Sequence, residues 1–155
     1  MMTTLQQLKE PADFVAMCPY EFDLSGAAIN VPFWPIQAYP LAFGNAHPST
    51  ILVVKKIIVI YTEATPGSTD ATYDNIIQVG HEDNSIAVHT YTIPASKAIG
   101  DADIIDQADF NAEPRLYNTQ ESIQIRSGGS ASGTGQVRVG LLLSNDYRQW
   151  TDYAY

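Results

Sequence analysis

The side chains here that could do chemistry are three histidines, a run of aspartates, a glycine tract and one cysteine, and their spacing decides what they can do. His81-Glu82 begins like a zinc-protease helix, which needs a second histidine three residues past the glutamate on the same face, where Ser85 stands. His47, His81 and His89 fall in separate segments, and His89 lies in a strand-like run whose outward face would hold it without special purpose. Asp101, Asp103, Asp106 and Asp109 supply the oxygens a hard cation wants, but Ile104 and Ile105 interrupt them and no glycine occupies the turn of a calcium loop. Residues 101–109 therefore read as a solvated acidic loop, with a weak calcium site through Asp101, Asp103 and the backbone left open. Residues 127–135, SGGSASGTG, lack the Gly-Lys-Ser/Thr of a phosphate cradle, and Ala131 stands where a hydrolase elbow carries its serine. A strand would point the neighbours Glu82 and Asp83 to opposite faces, and no serine, histidine and aspartate converge by spacing. No catalytic, cofactor-binding or metal residue is assigned, and the chain reads as a non-enzyme. Cys18, being alone, can form neither an intrachain disulfide nor a thiolate cluster, and reads as a small buried apolar residue.

The elements that hold these residues are strands. Residues 51–61, ILVVKKIIVIY, are β-branched and apolar on both alternating faces apart from Lys55-Lys56, which predicts a central strand or two strands meeting at a bulge. Residues 76–80 form a short strand closed by glycine, and residues 86–93, IAVHTYTI, another ended by Pro94. Residues 122–126 alternate, with Ile123 and Ile125 inward and Gln124 and Arg126 outward; Val137, Val139, Leu141 and Leu143 repeat the pattern, with Leu142 as the exception. The glycine tract between them predicts a flexible hairpin tip. Residues 3–17 have room for a helix of a turn or two, cut by Pro11. Short strands, frequent turn residues and no long amphipathic helix predict an all-β fold, a β-sandwich or jelly roll.

Residues 24–54 run for 31 positions without a charged side chain, yet hold Pro32, Pro35, Pro40 and Pro48 with Phe33, Trp34, Tyr39 and Phe43. Proline rules out a continuous helix or a central strand, and so apolar a loop is poorly suited to bare water. It reads as an extended arm lying against other protein. The chain divides into an arm over residues 1–49, carrying the short helix and an opening strand, a sandwich over residues 50–145, and a tail over residues 146–155. That tail carries Tyr147, Trp150, Tyr153 and Tyr155, too many aromatics for an idle terminus.

At 155 residues the chain fits one domain. Charged residues make up 16%, low for a soluble monomer, so much of the surface is neutral, as suits a subunit packed into something. The net charge is −9, and residues 63–113 hold ten acids against the single base Lys97. Binding that neutralises phosphates wants clustered Lys and Arg, so no nucleic-acid partner is expected. No stretch offers the apolar length of a membrane span, and the leading residues lack the basic start and apolar run of a secretory signal, so no membrane partner is expected and synthesis in the cytoplasm is.

The order of features resembles small structural proteins of tailed-bacteriophage virions, in particular head decoration or cement proteins with a β-sandwich body. The similar parts are INVPFWP (residues 29–35), KKIIVIYTEATPGSTD (55–70), IIQVG (76–80) and SIQIRSGGSASGTGQVRVGLLL (122–143). The resemblance implies a virion protein, made in the host cytoplasm, that binds the outside of an icosahedral shell, often as a homotrimer, and clamps neighbouring capsomers of the major capsid protein or other virion subunits. Independently, Phe33, Trp34, Tyr39, Phe43, Tyr147, Trp150 and Tyr153 form the expected interface set, because interface cores lose charge and gain aromatics. Two other readings stay open: a carbohydrate-binding or receptor-contact sandwich, in which exposed Trp34, Tyr39 or Trp150 stack on sugar rings, and a tail or baseplate subunit of similar build. On the arm reading, deleting residues 1–30 leaves the sandwich folded.

Overall fold

A computed structural model describes residues 12–25, 28–33, 51–67, 75–81, 88–111, 116–118, 122–129 and 134–145. Nine strands run through them: β1 Ala12–Asp23, β2 Ile29–Phe33, β3 Ile51–Tyr61, β4 Asn75–His81, β5 His89–Thr92, β6 Ala102–Asp106, β7 Leu116–Asn118, β8 Ile123–Gly129 and β9 Gln136–Asn145. Among the described residues one 3-10 turn, Gln107–Asp109, follows β6. The first sheet has the order β1-β9-β3-β6, with β7 also on β3, and the second has β2-β8-β4-β5; every pairing is antiparallel. The fold is the expected all-β sandwich.

Its core forms where alternating residues of both sheets meet. Phe22, Ile57, Val59, Leu141 and Leu143 from the first sheet pack with Ile77, Val79, Ile123 and Ile125 from the second, all fully buried. The doubly apolar run is the long strand β3, and its register slips between Val54 and Lys56, so the lysine pair marks the predicted bulge. Gln107 Nε2 donates to the Val54 carbonyl at that irregularity, 3.1 Å away, where β6 gives way to β7 along β3.

Three expectations change. From Ala12 onward the predicted helix is a strand, because Ala16 and Cys18 point inward at period two; Val15 and Met17 on the other face are apolar as well, which hid the alternation. Pro19 falls in the register break between Met17 and Glu21, on an edge strand where no ladder hydrogen bond is owed. Secondly, β8 and β9 are no hairpin: β8 pairs with β2 and β4, whereas β9 pairs with β1 and β3. The glycine tract therefore crosses from one sheet to the other, a gap of about 10 Å. It enters β9 through Gly135, whose φ of +113° and contact with the Ala64 carbonyl, 3.0 Å from where a Cβ would sit, both require glycine. Thirdly, Gln124 is covered, although its neighbour Arg126 is exposed as expected.

The sandwich also takes in Ala12–Asp23 and Ile29–Phe33, which the sequence reading placed in the arm. Removing residues 1–30 would strip β1 and part of β2, one edge strand from each sheet, so the prediction of an intact sandwich does not survive this pairing. Pro32 lies on the edge strand β2, a sheet position that tolerates it.

Cys18 is buried as expected. Burial pushes its thiol above the usual range, against a smaller opposing pull from a backbone hydrogen bond at Tyr20. The native protein should react with a thiol reagent at least about 100-fold more slowly than the unfolded chain. Chromogenic disulfide exchange with and without denaturant measures this, and near-equal rates would mean that β1 detaches readily.

Candidate functional site

The aspartates expected in one loop are split between the faces of a strand. Asp106 points out and pairs with Lys56 at 2.7 Å, whereas Asp103 points in. There it meets groups remote in sequence. Tyr61 on β3 and Tyr91 on β5 each donate a phenol hydrogen bond to Asp103 Oδ2 at 2.7 Å, and Lys97 Nζ donates to Oδ1 at 2.6 Å. Lys97 Nζ also lies 5.7 Å from the centre of the Tyr61 ring. The β5–β6 connection is tied down beside it: Lys97 N donates to Thr65 Oγ1, Ser96 N to the Pro66 carbonyl and Gly100 N to the Tyr61 carbonyl. One carboxylate on the first sheet thus clasps the edge of the second.

The electrostatics argue against proton chemistry near neutrality. Burial pushes both phenols up, and hydrogen bonding to Asp103 pushes them further. Burial alone would raise the Asp103 carboxyl, but the bonds from Lys97, Tyr61 and Tyr91 and the charge of Lys97 outweigh it and hold the group below its usual range. Among the described residues no three His, Cys, Asp or Glu side chains stand together as a metal site. His89, expected on an outward face, is buried instead. Its Nδ1 accepts a hydrogen bond from Asn111 N at 3.1 Å, its ring lies 5.7 Å from that of Phe110, and Asn111 Oδ1 accepts from Thr90 N at 2.8 Å. This segment caps the edge of β5, and burial lowers the His89 pKa against a weaker upward pull from Asp109.

The outer faces of the two sheets differ. Registered across the first sheet are Met17 on β1, Gly140 on β9, Ile58 on β3 and Ile104 on β6, an apolar row spanning four strands. Val15 and Leu142 extend it on one side, Ile60 and Ala102 on the other. Val15 is 53% exposed, Met17 39% and Ile104 61%. Across the second sheet the corresponding row is Asn30, Arg126, Gln78 and Thr90, all polar. An apolar side chain left in water forgoes about 1.5–3 kcal/mol of burial, so the first row has stabilisation to gain from a partner and the second has little, while Lys56 with Asp106 and Arg138 with Glu21 flank the apolar row.

Of the expected interface set, Phe33 has its backbone in β2, while its side chain and the whole of Trp34, Tyr39, Phe43, Tyr147, Trp150 and Tyr153 lie outside the described residues. The structure leaves Val15, Met17 and Ile104 exposed on the outer face of the first sheet, with Ile58 and Leu142 half-buried among them. Their signal was present in the doubly apolar run of residues 51–61 and in Leu142, the residue that broke its alternation.

No family model matches the chain, and no curated protein matches its sequence. Among solved structures, a chain from "Structure of infectious bursal disease virus Gx strain" is 8% identical, with a TM-score of 0.29 over 87% of this chain and 32% of that one. A chain from "Structure of infectious bursal disease virus Gt strain" is 13% identical, with a TM-score of 0.25 over 88% of this chain and 36% of that one. The present chain spans about a third of the length of either.

Proposed function

We propose that this chain is a non-enzymatic structural subunit of a virion, of the capsid-decoration type, binding between subunits of the major capsid protein and stabilising the head. The observation that carries the reading is the contrast between the apolar central row on the outer face of the first sheet, Met17, Gly140, Ile58 and Ile104, and the polar row Asn30, Arg126, Gln78 and Thr90 on that of the second. A subunit laid on a shell needs one surface that gains from being covered and another that tolerates water. The polar cluster around Asp103 serves to lock the sheets together, which agrees with a structural role. The uncharged segment and the aromatic tail supply further contact area by their composition, and a homo-oligomer, with a trimer favoured, fits that excess of neutral surface.

Electron microscopy of particles from cells co-expressing the chain with the products of neighbouring genes tests the reading. Density for the sandwich on the shell is expected, with Ile58→Lys reducing its occupancy. Particles that never carry the chain would remove the proposal. Trp34→Ala and Trp150→Ala are each expected to weaken subunit contacts by about 2–4 kcal/mol as interface anchors. Unchanged dissociation in sedimentation would take them out of that role, and binding of soluble oligosaccharides through the same rings would favour a carbohydrate module.

A further inference from the structure

We infer that His89 is an acid-sensitive latch: unprotonated, it holds Asn111 across the open edge of β5, and on gaining a proton it releases Asn111 and leaves that edge bare. The latch belongs to the fold and stands or falls apart from the structural-subunit reading.

The geometry at Asn111 sets the condition. β5 has β4 on one side and, among the described residues, no strand on the other. On that open side the Thr90 N–H donates to Asn111 Oδ1 at 2.8 Å, so a side-chain amide stands where the carbonyl of a neighbouring strand would. The backbone N–H of the same asparagine donates to His89 Nδ1 at 3.1 Å. A peptide N–H can only donate, so the ring nitrogen facing it has to be without a proton. An imidazolium carries a proton on both nitrogens, and two N–H groups would then point at each other across that distance. The cap and the protonated ring exclude each other.

Asn111 is the partner that gives way. His89 is 8% exposed, and its ring lies 6.5 Å from that of Tyr91 and 5.7 Å from that of Phe110. Aromatic neighbours also suit a cation, so the charged ring keeps its place. Asn111, by contrast, is exposed. Upstream, Gln107 Nε2 is tied to the Val54 carbonyl and Phe110 N to the Gln107 carbonyl, so the release stops at Asn111.

The groups around the ring decide where it lets go. Asp109, on the same segment, draws the proton in, while burial keeps it out and is the stronger of the two. β4 brings His81, two residues beyond Val79, which is in register with His89, and on the same face. β6 brings Asp103, whose charge is taken up by Lys97, Tyr61 and Tyr91. The capped edge therefore binds the proton less well than the bare one, so it is fully favoured above about pH 6.5, the ordinary histidine value, and loses ground below it. A bare edge is the part of a sheet that takes up a strand from another chain, and the latch confines that exposure to acid.

Amide hydrogen exchange of the full chain, followed residue by residue by nuclear magnetic resonance and corrected for intrinsic rates, tests the latch. Protection at Thr90 and Asn111 should fall about three- to tenfold between about pH 7 and about pH 5, and should stay below that of Ile125 in the central strand β8 throughout. Glutamine offers an acceptor that does not titrate, so His89→Gln should keep the protection and abolish its pH dependence. Asn111→Ala should leave Thr90 poorly protected at both pH values, while the amide at residue 111 keeps its pH dependence because its bond to the ring is intact. Asp109→Asn should move the fall to lower pH. Near-ultraviolet circular dichroism checks that each variant is folded. Protection that is the same at both pH values overturns the inference, as does protection at Thr90 equal to that at Ile125, which would mean that the edge opens only with the whole sandwich. A fall that persists in His89→Gln places the titrating group elsewhere and overturns it too. Should His89→Gln not fold, Asn111→Ala at its exposed position decides alone, and unchanged protection of Thr90 there overturns the cap.

Discussion

Asp103→Ala is expected to lower the unfolding free energy by about 2–4 kcal/mol, the largest effect of any substitution outside the apolar core. The carboxylate accepts three hydrogen bonds, and its loss strands the Tyr61 hydroxyl in a side chain that is 1% exposed, together with a half-buried ammonium at Lys97. Tyr91→Phe removes one of those bonds and leaves the other two, so about 1 kcal/mol is expected. Denaturant unfolding measures both, and equal losses would show that Asp103 does not act as the common acceptor.

The clasp also sets the pH profile. Asp103 titrates below its unfolded value of about 3.9, so the native state binds fewer protons there and its stabilisation is lost as pH falls below ~4. The His89 pKa is depressed as well, so charging it in the unfolded chain draws stability down earlier, from about pH 6.5. Tyr61 and Tyr91 hold their protons more tightly folded than unfolded, so their contribution is whole below about pH 10 and is lost above it. Cys18, whose thiol is also held above its usual range, draws stability down from about pH 8.5, so melting temperature should be flat from about pH 7 to 8.5 and fall on both sides, with Tyr61→Phe/Tyr91→Phe blunting the fall above about pH 10. An alkaline limb unchanged in the double variant would assign it elsewhere.

Phe22→Ala should cost about 3–5 kcal/mol, in the range of a fully enclosed aromatic removed from a core. Phe22 is wholly buried although it lies on the edge strand β1, which closes the first sheet against β9. A loss under about 1 kcal/mol would mean that β1 is an arm laid on a finished sandwich; the full loss makes it part of the fold.

Alternation told which residues of β8 and β9 face the core, because period two is a local property, whereas β3 is apolar on both faces and gave no such signal. Alternation did not tell which sheet each strand enters, so Ser122–Arg126 and Gln136–Leu143 read as partners although they lie in different layers. β1 was misread for the same reason that makes its surface of interest: with Val15 and Met17 apolar on the outside, the two faces were indistinguishable by hydropathy. The clasp was invisible in sequence because its four side chains, at positions 61, 91, 97 and 103, come together only through the pairing of distant strands. His89 was assigned outward on its polarity alone, whereas the Asn111 amide that satisfies its ring nitrogen is supplied by a segment 22 residues away.

The placement of β9 between β1 and β3 has a bearing on how the polypeptide acquires its shape. Of the described neighbours in the chain only β4 and β5 bond to each other, so almost every ladder must close a long loop before it is rewarded, and folding in milliseconds to seconds is expected. The strand at the centre of the first sheet is also the last of the described strands to leave the ribosome. Until residue 145 has emerged, β1 and β3 lack the neighbour that joins them, and the nascent chain carries one edge of its most hydrophobic strand unpaired for several seconds of synthesis, with β6 and β7 available only to the other edge.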